Sequence, residues 1–308
     1  AVAGLDASPE QGCDMKIATA AYPMDFLASW QAYEEKLTRW VSEAAGEGAD
    51  ILVFPEYGAM ELATLAGRAA AQDLELSLHA VSDRIPAADA LHARLAEAHG
   101  VYILAASAPF FDAEISDRPV NRARFFAPDG SMGIQDKQIM TRFEREDWGV
   151  VAGGPLRLFE TRFGTLGILI CYDCEFPLLG RAMSDADVLL VPSCTEALTG
   201  YWRVRIGAMA RALENQCVTV MSSTVGSCDW SEAVDENTGA GGFFGPPDTG
   251  FPPTGVMAEG VLNHSGWTYA EIDPHRISHV RADGVVLNRR HWNEQSGRDV
   301  IAETRRLG

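Results

Sequence analysis

The sequence predicts an α/β fold, with a mixed β-sheet covered by helices inside one large domain. Three observations predict it. Runs such as "DILVFPE" (50–56) and "DVLLVPS" (187–193) are short and almost wholly apolar, as strands buried on both faces are. Helical periodicity alternates with strand-like runs early in the chain, in "FLASWQAYEEKLTRWVSEA" (26–44) and near 84–99. In the middle, turn residues join runs directly, Asp-Gly in "APDGS" (127–131) above all. Crossovers followed by hairpins make the sheet mixed.

Each element has its own warrant. "KIATAAYP" (16–23) is a first strand. Leu27, Trp30, Tyr33, Leu37 and Trp40 recur at intervals of three and four, which defines an amphipathic helix. Proline stops the strand at 50–56, and a helical stretch near 84–99 precedes the strand "VYILAASAP" (101–109). Two runs flank the Asp-Gly turn as a hairpin, and "LRLFETRFGTLGILICYD" (156–173) gives two strands around Phe-Gly. "YWRVRIGAMARALENQ" (201–216) spaces Trp202, Ile206, Met209 and Leu213 as one helical face. "CVTVMSSTV" and "WTYAEID" complete the strands. The Gly/Pro-rich segment 237–255 reads either as a surface connection or as a rim of the active site.

Composition narrows the function classes. A net charge of −18 repels phosphate backbones, so nucleic acid is not an expected partner. No apolar run approaches the roughly 18 residues that cross a bilayer, and the N-terminus lacks the basic-then-apolar order of a signal peptide. Neither a membrane nor secretion is expected, and the expected location is cytoplasmic. Six cysteines in 308 residues, several inside apolar runs, suit a reducing compartment with buried thiols. Of 25 basic residues only Lys16, Lys36 and Lys137 are lysine, which leaves 22 arginines. Lysine can be tuned for chemistry where arginine cannot, so each one matters. Lys16 begins a strand and Lys36 reads as the polar face of a helix, whereas Lys137 lies between apolar neighbours.

Three places share one pattern: an apolar run closing on a reactive side chain. They are Glu56 in "ILVFPE", Lys137 in "GIQDKQIM" and Cys171 in "ILICYD". Ligands bind beyond strand ends in α/β sheets, so such positions converge. Singly, each has an ordinary explanation, since an apolar-run cysteine is commonly just a small buried hydrophobe. Cys171 and Cys174 form a C-x-x-C, but Asp173 between them opposes thiolate formation, where a redox pair has the thiol at a helix start. A structural zinc site needs a second ligand pair, and Cys13, Cys194, Cys217 and Cys228 are isolated. His275 and His279 are the one close histidine pair, in a late helical stretch. Metal and redox readings therefore recede, and Cys174 reads as packing.

Together, "VFPEY", "DKQIM" and "ILICYDCEFP" resemble the Glu–Lys–Cys set of the carbon–nitrogen hydrolase (nitrilase) superfamily, in order and spacing. "RIGAMARALENQCVTV" (205–220) is similar to that family's helix-to-strand segment, and the resemblance runs from about Lys16 to Asn293. It implies a four-layer α-β-β-α sandwich, with residues 1–14 as an extension and 15–308 as one domain. It also implies pairing of two copies into an α-β-β-α-α-β-β-α homodimer or a higher homo-oligomer. Tyr172-Asp173 after the nucleophile resembles the amidase branches, where nitrile-hydrolysing relatives carry Trp-Glu. The family's second glutamate falls in "KQIMTRFEREDW", on Glu144 or Glu146, and Glu146 before Asp147-Trp148 is the better match. Leu178 stands after Phe176-Pro177, where many relatives have glutamate.

The resemblance implies a cofactor-free and metal-free amidohydrolase acting on a small non-peptide amide or carbamoyl compound. Cys171 would attack, Glu56 would serve as acid and base, and Glu146 would position water. Lys137 and the Tyr172 backbone N–H would hold the oxyanion, and Trp148 would shape the substrate site. Acyl transfer at the same residues is the enzymatic alternative, and a non-catalytic binding partner is the other.

Overall fold

The computed structural model describes residues 14–298 and 301–307; of the extension 1–14, residues 1–13 lie outside the described residues. The first half contains β1 (Met15–Pro23), α1 (Trp30–Gly46), β2 (Ile51–Val53), α2 (Arg68–Gln72), α3 (Leu74–Ser82), α4 (Ile85–His99), β3 (Tyr102–Leu104) and β4 (Ala108–Phe110). Then come β5 (Val120–Phe126), β6 (Met132–Asp136), α5 (Arg142–Glu146), β7 (Leu158–Thr161), β8 (Gly164–Ile168), α6 (Pro177–Ala182), β9 (Val188–Ser193), α7 (Leu198–Asn215) and β10 (Val218–Ser227). The chain closes with β11 (Glu236–Asn237), β12 (Gly242–Phe244), β13 (Val256–Glu259), β14 (Gly266–Ile272), α8 (Pro274–Asp283) and α9 (Asn288–His291).

The strands form one curled mixed sheet, in the order β4-β5-β3-β2-β1-β10-β9-β8-β7. The all-buried strands β2 and β9 sit in its parallel stretches, as their unbroken apolar runs require. The first hairpin falls at its predicted Asp-Gly, while the second turns one residue before the expected Phe-Gly, with Gly164 already in β8. Gly130 adopts φ +86 between β5 and β6, and Arg162-Phe163 closes β7 onto β8. The expected strand 101–109 is instead two short strands, β3 and β4, parted at Ala105–Ser107.

The pleat of β1 and β2 divides the core in two. Ala18, Ala20, Tyr22 and Leu52 pack under α1 and α4, while Ile17, Ile51 and Val53 face a second core shared with β8–β10 and the buried side of α7. Helices therefore lie outside two facing halves of the sheet, which gives the α-β-β-α layering.

Two expectations fail here for identifiable reasons. Trp202, Ile206 and Leu213 do not face the core; they are 48%, 61% and 40% exposed. The buried side of α7 combines Tyr201, Val204 and Arg211 with Gly207, Ala208 and Ala212, and at Gly207 the helix presses on the turn holding Cys174. A Cβ at Gly207 would stand 2.9 Å from the Cys174 carbonyl oxygen. Lys36, read as a polar-face residue, is buried. Its Nζ bonds the Pro23 carbonyl at 2.6 Å, Asp25 at 2.8 Å and the fully buried Glu61. Tyr22 also donates to Glu61, at 2.9 Å. This network pins α1 to the end of β1 and to the 3₁₀ segment Gly58–Ala66.

Removing one partner of a buried pair strands the other charge, at a cost of about 3–5 kcal/mol. Lys36→Ala should lose that much stability in urea unfolding. Lys16→Ala, whose Nζ reaches the Glu47 carbonyl at an exposed position and lies 5.2 Å from the Tyr269 ring centroid, should lose about 1 kcal/mol or less. Equal losses would contradict the buried-network assignment.

Candidate active site

Glu56, Lys137 and Cys171, separated by up to 115 residues in sequence (171 − 56), meet at the floor of one cavity of about 610 Å³. Glu56 follows β2, and Lys137 follows β6 directly. Cys171 does not end a strand as expected: β8 stops at Ile168, and Cys171 opens the 3₁₀ turn Cys171–Glu175. Its φ is +49, and Tyr57, next to Glu56, has φ +54. Left-handed backbone is costly for side-chain-bearing residues, and it persists at sites where the surroundings enforce it.

The Lys137 ammonium is 1% exposed and bridges two carboxylates, at 2.7 Å from Glu56 Oε1 and 2.7 Å from Glu144 Oε2. The second glutamate is therefore Glu144, a correction to the assignment of Glu146. Local helix geometry explains it. Thr141 caps α5, with its Oγ1 accepting from Glu144 N–H at 3.3 Å while Thr141 N–H donates to Glu144 Oε2 at 2.8 Å. This capping box turns Glu144 back toward Lys137. Glu146, two residues on, is rotated by roughly 200° and faces solvent, paired with Arg142 at 2.7 Å.

The remaining donors around the two carboxylates come from residues the sequence did not single out. Asn121 Nδ2 donates to Glu56 Oε1 at 2.9 Å, and Cys194 N–H donates to Glu56 Oε2 at 3.1 Å. Tyr57 O–H donates to Glu144 Oε1 at 2.7 Å. Asp173 accepts from Gln138 N–H at 3.1 Å and from Ile139 N–H at 2.9 Å, tying the cysteine turn to the lysine loop. Asn121 had no sequence signal, Tyr57 and Asp173 stood out only as neighbours of the strand-end motifs, and Cys194 only as an isolated cysteine.

Electrostatics separates the roles. Burial raises the Glu56 pKa, with Lys137 opposing and Glu144 adding to the rise. Burial also works on Glu144, but Lys137 outweighs it and holds that carboxyl below its ordinary value. Burial disfavours the Lys137 charge, yet Glu144 and then Glu56 outweigh it and raise its pKa well above the ordinary value. Burial and then Glu56 push the Cys171 thiol well above its usual range. Burial raises Asp173 to about 7. The site thus sets a thiol whose pKa is raised near a carboxylate whose pKa is raised, with Cys171 Sγ 3.8 Å from the Cys194 carbonyl oxygen, next to the N–H that holds Glu56. Two acids around one ammonium with pKa values driven apart are suited to different tasks, one to exchange a proton and the other to stay ionised.

Cys174 is fully buried, with Sγ 3.5 Å from the Val204 carbonyl, and serves packing. Tyr172 lines the cavity and stacks edge-on against Phe176 at 4.8 Å. Trp148 lines it too, packed on Tyr57 at 4.9 Å, with its indole N–H already given to the Leu74 carbonyl at 3.1 Å. It acts as a wall and has no donor left to offer. The segment 237–255 does not line the cavity; residues 232–236 do. Its Phe243 and Phe244 are buried, on β12 paired with β10. Among the described residues, no cluster of three metal-ligating side chains occurs, and no helix is long and apolar enough to cross a membrane.

Comparison with known proteins agrees with this geometry. The sequence model of the carbon-nitrogen hydrolase family matches residues 15–282. The chain is 31% identical to "Probable hydrolase YhcX" of Bacillus subtilis over 274 residues, covering 88% of this chain and 52% of that protein. The chain thus spans about half the length of this relative. It is 30% identical to "Deaminated glutathione amidase" of Synechocystis over 64% of this chain and 73% of that one. Among solved structures, Nit3 of Saccharomyces cerevisiae, a nitrilase superfamily member, superposes with a TM-score of 0.69 at 20% identity, covering 90% of this chain and 96% of that one. A mutant of the amidase from Nesterenkonia sp. AN1, with acrylamide added at its active-site cysteine, gives a TM-score of 0.64 at 20% identity, covering 90% and 99%.

Proposed function

Because the chain belongs to the carbon–nitrogen hydrolase family, we propose that it hydrolyses a small non-peptide amide or carbamoyl compound through a thioester on Cys171, releasing ammonia and an acid. One observation carries this reading: a cavity-floor thiol sits beside a carboxylate whose pKa is raised, with a buried ammonium held between that carboxylate and Glu144.

Each residue then has one task. Glu56 takes the Cys171 proton as sulfur attacks the amide carbon, so no standing thiolate is needed. Negative charge appears on the carbonyl oxygen, where the Lys137 ammonium and the Tyr172 backbone N–H receive it. One such donor is worth about 3–4 kcal/mol. Glu56 returns the proton to the leaving nitrogen, the C–N bond breaks, and ammonia departs. A water then gives its proton to Glu56, attacks the thioester and frees the acid, returning the proton to sulfur. Glu144 stays ionised throughout and keeps Lys137 aimed. No cofactor enters these steps.

The surface supports a pairing of two copies. Leu198, Trp202, Ile206 and Leu213 run along one side of α7, 40–61% exposed, beside Leu178 of α6 at 80%. Monomers seldom leave such a stripe in water, and a helix face can be its own complement across a two-fold axis. In this reading the stripe meets the same stripe of a second copy, as in the paired sandwich that the family resemblance implies. Sedimentation velocity at micromolar concentration should give a dimer or a multiple of one, and Ile206→Glu should shift it to monomer. A wild-type monomer would refute the pairing.

The catalytic reading is tested by ammonia release from a panel of primary amides and their matching nitriles. Amides should react faster, Cys171→Ala should be inactive, and Cys174→Ala should keep most activity. Glu144→Gln should lower kcat about 10²-fold or more, since it misplaces an oxyanion donor. Glu146→Gln should stay within about twofold, as surface pairs contribute little. Equal effects of the two glutamate variants would overturn the assignment of Glu144. Activity in Cys171→Ala would overturn the mechanism.

A further inference from the structure

Asn121 has a feature that packing does not explain. It is fully buried on β5, and its Oδ1 has no hydrogen-bond partner among the described residues. Buried polar atoms are nearly always satisfied, so an orphan in a well-packed strand calls for a reason. The amide cannot turn over to relieve it. Reversal would set a carbonyl oxygen at 2.9 Å against Glu56 Oε1, where Nδ2 now donates. Its backbone serves the same site, with the Asn121 carbonyl accepting Lys137 N–H at 2.9 Å.

We propose that Asn121 is the positioning residue for Glu56: it fixes Oε1, while Cys194 N–H holds Oε2, and so sets the orientation of the carboxylate and holds its charged form during the proton transfers. The inference rests on the amidase reading above. The groups facing Glu56 explain why a neutral donor is required. Lys137 beyond β6 shares Oε1, Glu144 of α5 opposes Glu56 through that lysine, and Cys171 and Asp173 approach from the 3₁₀ turn. Cys194 beyond β9 holds Oε2 through its N–H, and Tyr57 lies beside it in the chain. Lys137 is the only cation in this set, and it is also the group that must serve the oxyanion. Once the ammonium leans toward substrate, its hold on Oε1 weakens. Asn121 carries no charge to redirect and has no competing partner, so Glu56 keeps both its orientation and its basicity through the cycle.

Two variants test this. Asn121→Leu keeps the branched shape and removes the donor; Asn121→Asp keeps the size and replaces the donor with an acceptor. Three readouts apply: kcat and KM on a primary amide across pH, the pH profile of Cys171 alkylation by iodoacetamide resolved by peptide mass spectrometry, and thermal melts. Losing a donor to a carboxylate raises its pKa, so the acid limb of kcat/KM and of alkylation should both move up by about one pH unit in Asn121→Leu. Asn121→Asp should move them at least as far, because two carboxyl groups at that distance share a proton. In Asn121→Leu, kcat should fall about 10²-fold, the scale of a misaligned catalytic group, with KM within about threefold.

Folded variants with unmoved pH profiles, or with kcat within twofold of wild type, overturn the proposal and leave the amidase reading intact. If the wild type releases no ammonia from any amide, the amidase reading fails instead. The alkylation profile then still decides the role of Asn121, since it needs no amide. Should Asn121→Leu fail to fold, Asn121→Asp decides alone.

Discussion

The buried ammonium of Lys137 between two carboxylates constrains everything around it. Taking ions out of water costs several kcal/mol each, and that cost is offset only when every charge has close partners. Here three charges share a floor almost closed to solvent, and each carboxylate finds further donors: Asn121 and Cys194 N–H for Glu56, Tyr57 and Thr141 N–H for Glu144. Those donors come from β5, the loop after β9, the residue after Glu56, and the cap of α5. A shift in any of these elements would leave a buried charge short of a partner. The cluster therefore fixes the relative placement of the strand ends, and the thiol inherits that precision.

The same requirement accounts for local strain. Tyr57 and Cys171 are held with positive φ, at 54° and 49°, although neither is glycine. At Tyr57 the Ser107 hydroxyl receives the backbone N–H at 3.1 Å, and the phenol reaches Glu144. At Cys171 the following turn is anchored through Asp173 to Gln138 and Ile139. Both kinks are thus tied at each end to the residues that carry the charges. Raised pKa values on Glu56 and Cys171 follow from the same dryness. A thiol that stays protonated until a substrate is in place is protected from adventitious oxidation, which needs the thiolate.

Much of this was legible in sequence because apolar strands and the reactive residues beyond them are local signals. Glu56, Lys137 and Cys171 each follow a recognisable run, and their order carries the family resemblance. Three features were not legible, for distinct physical reasons. The choice between Glu144 and Glu146 depends on helix phase, which Thr141 sets by capping, and a helix this short has no periodicity of its own. Lys36 looked solvated because its partner Glu61 lies 25 positions away, on a 3₁₀ segment with no sequence signature. On α7 both sides carry apolar spacing, and the buried side is the one where Gly207 lets the helix approach Cys174. Asn121 gave no signal at all, since the partner that gives it meaning lies 65 residues away.

The central claim is that Cys171 becomes covalently acylated with Glu56 as its proton carrier. The most direct measurement is peptide mass spectrometry of enzyme quenched in acid while it is releasing ammonia from a primary amide. The account predicts an increment equal to the acyl group of the substrate on the peptide bearing Cys171, growing with substrate concentration to a plateau. Steady ammonia release with no adduct on Cys171, or with the adduct on Cys194 instead, would contradict it.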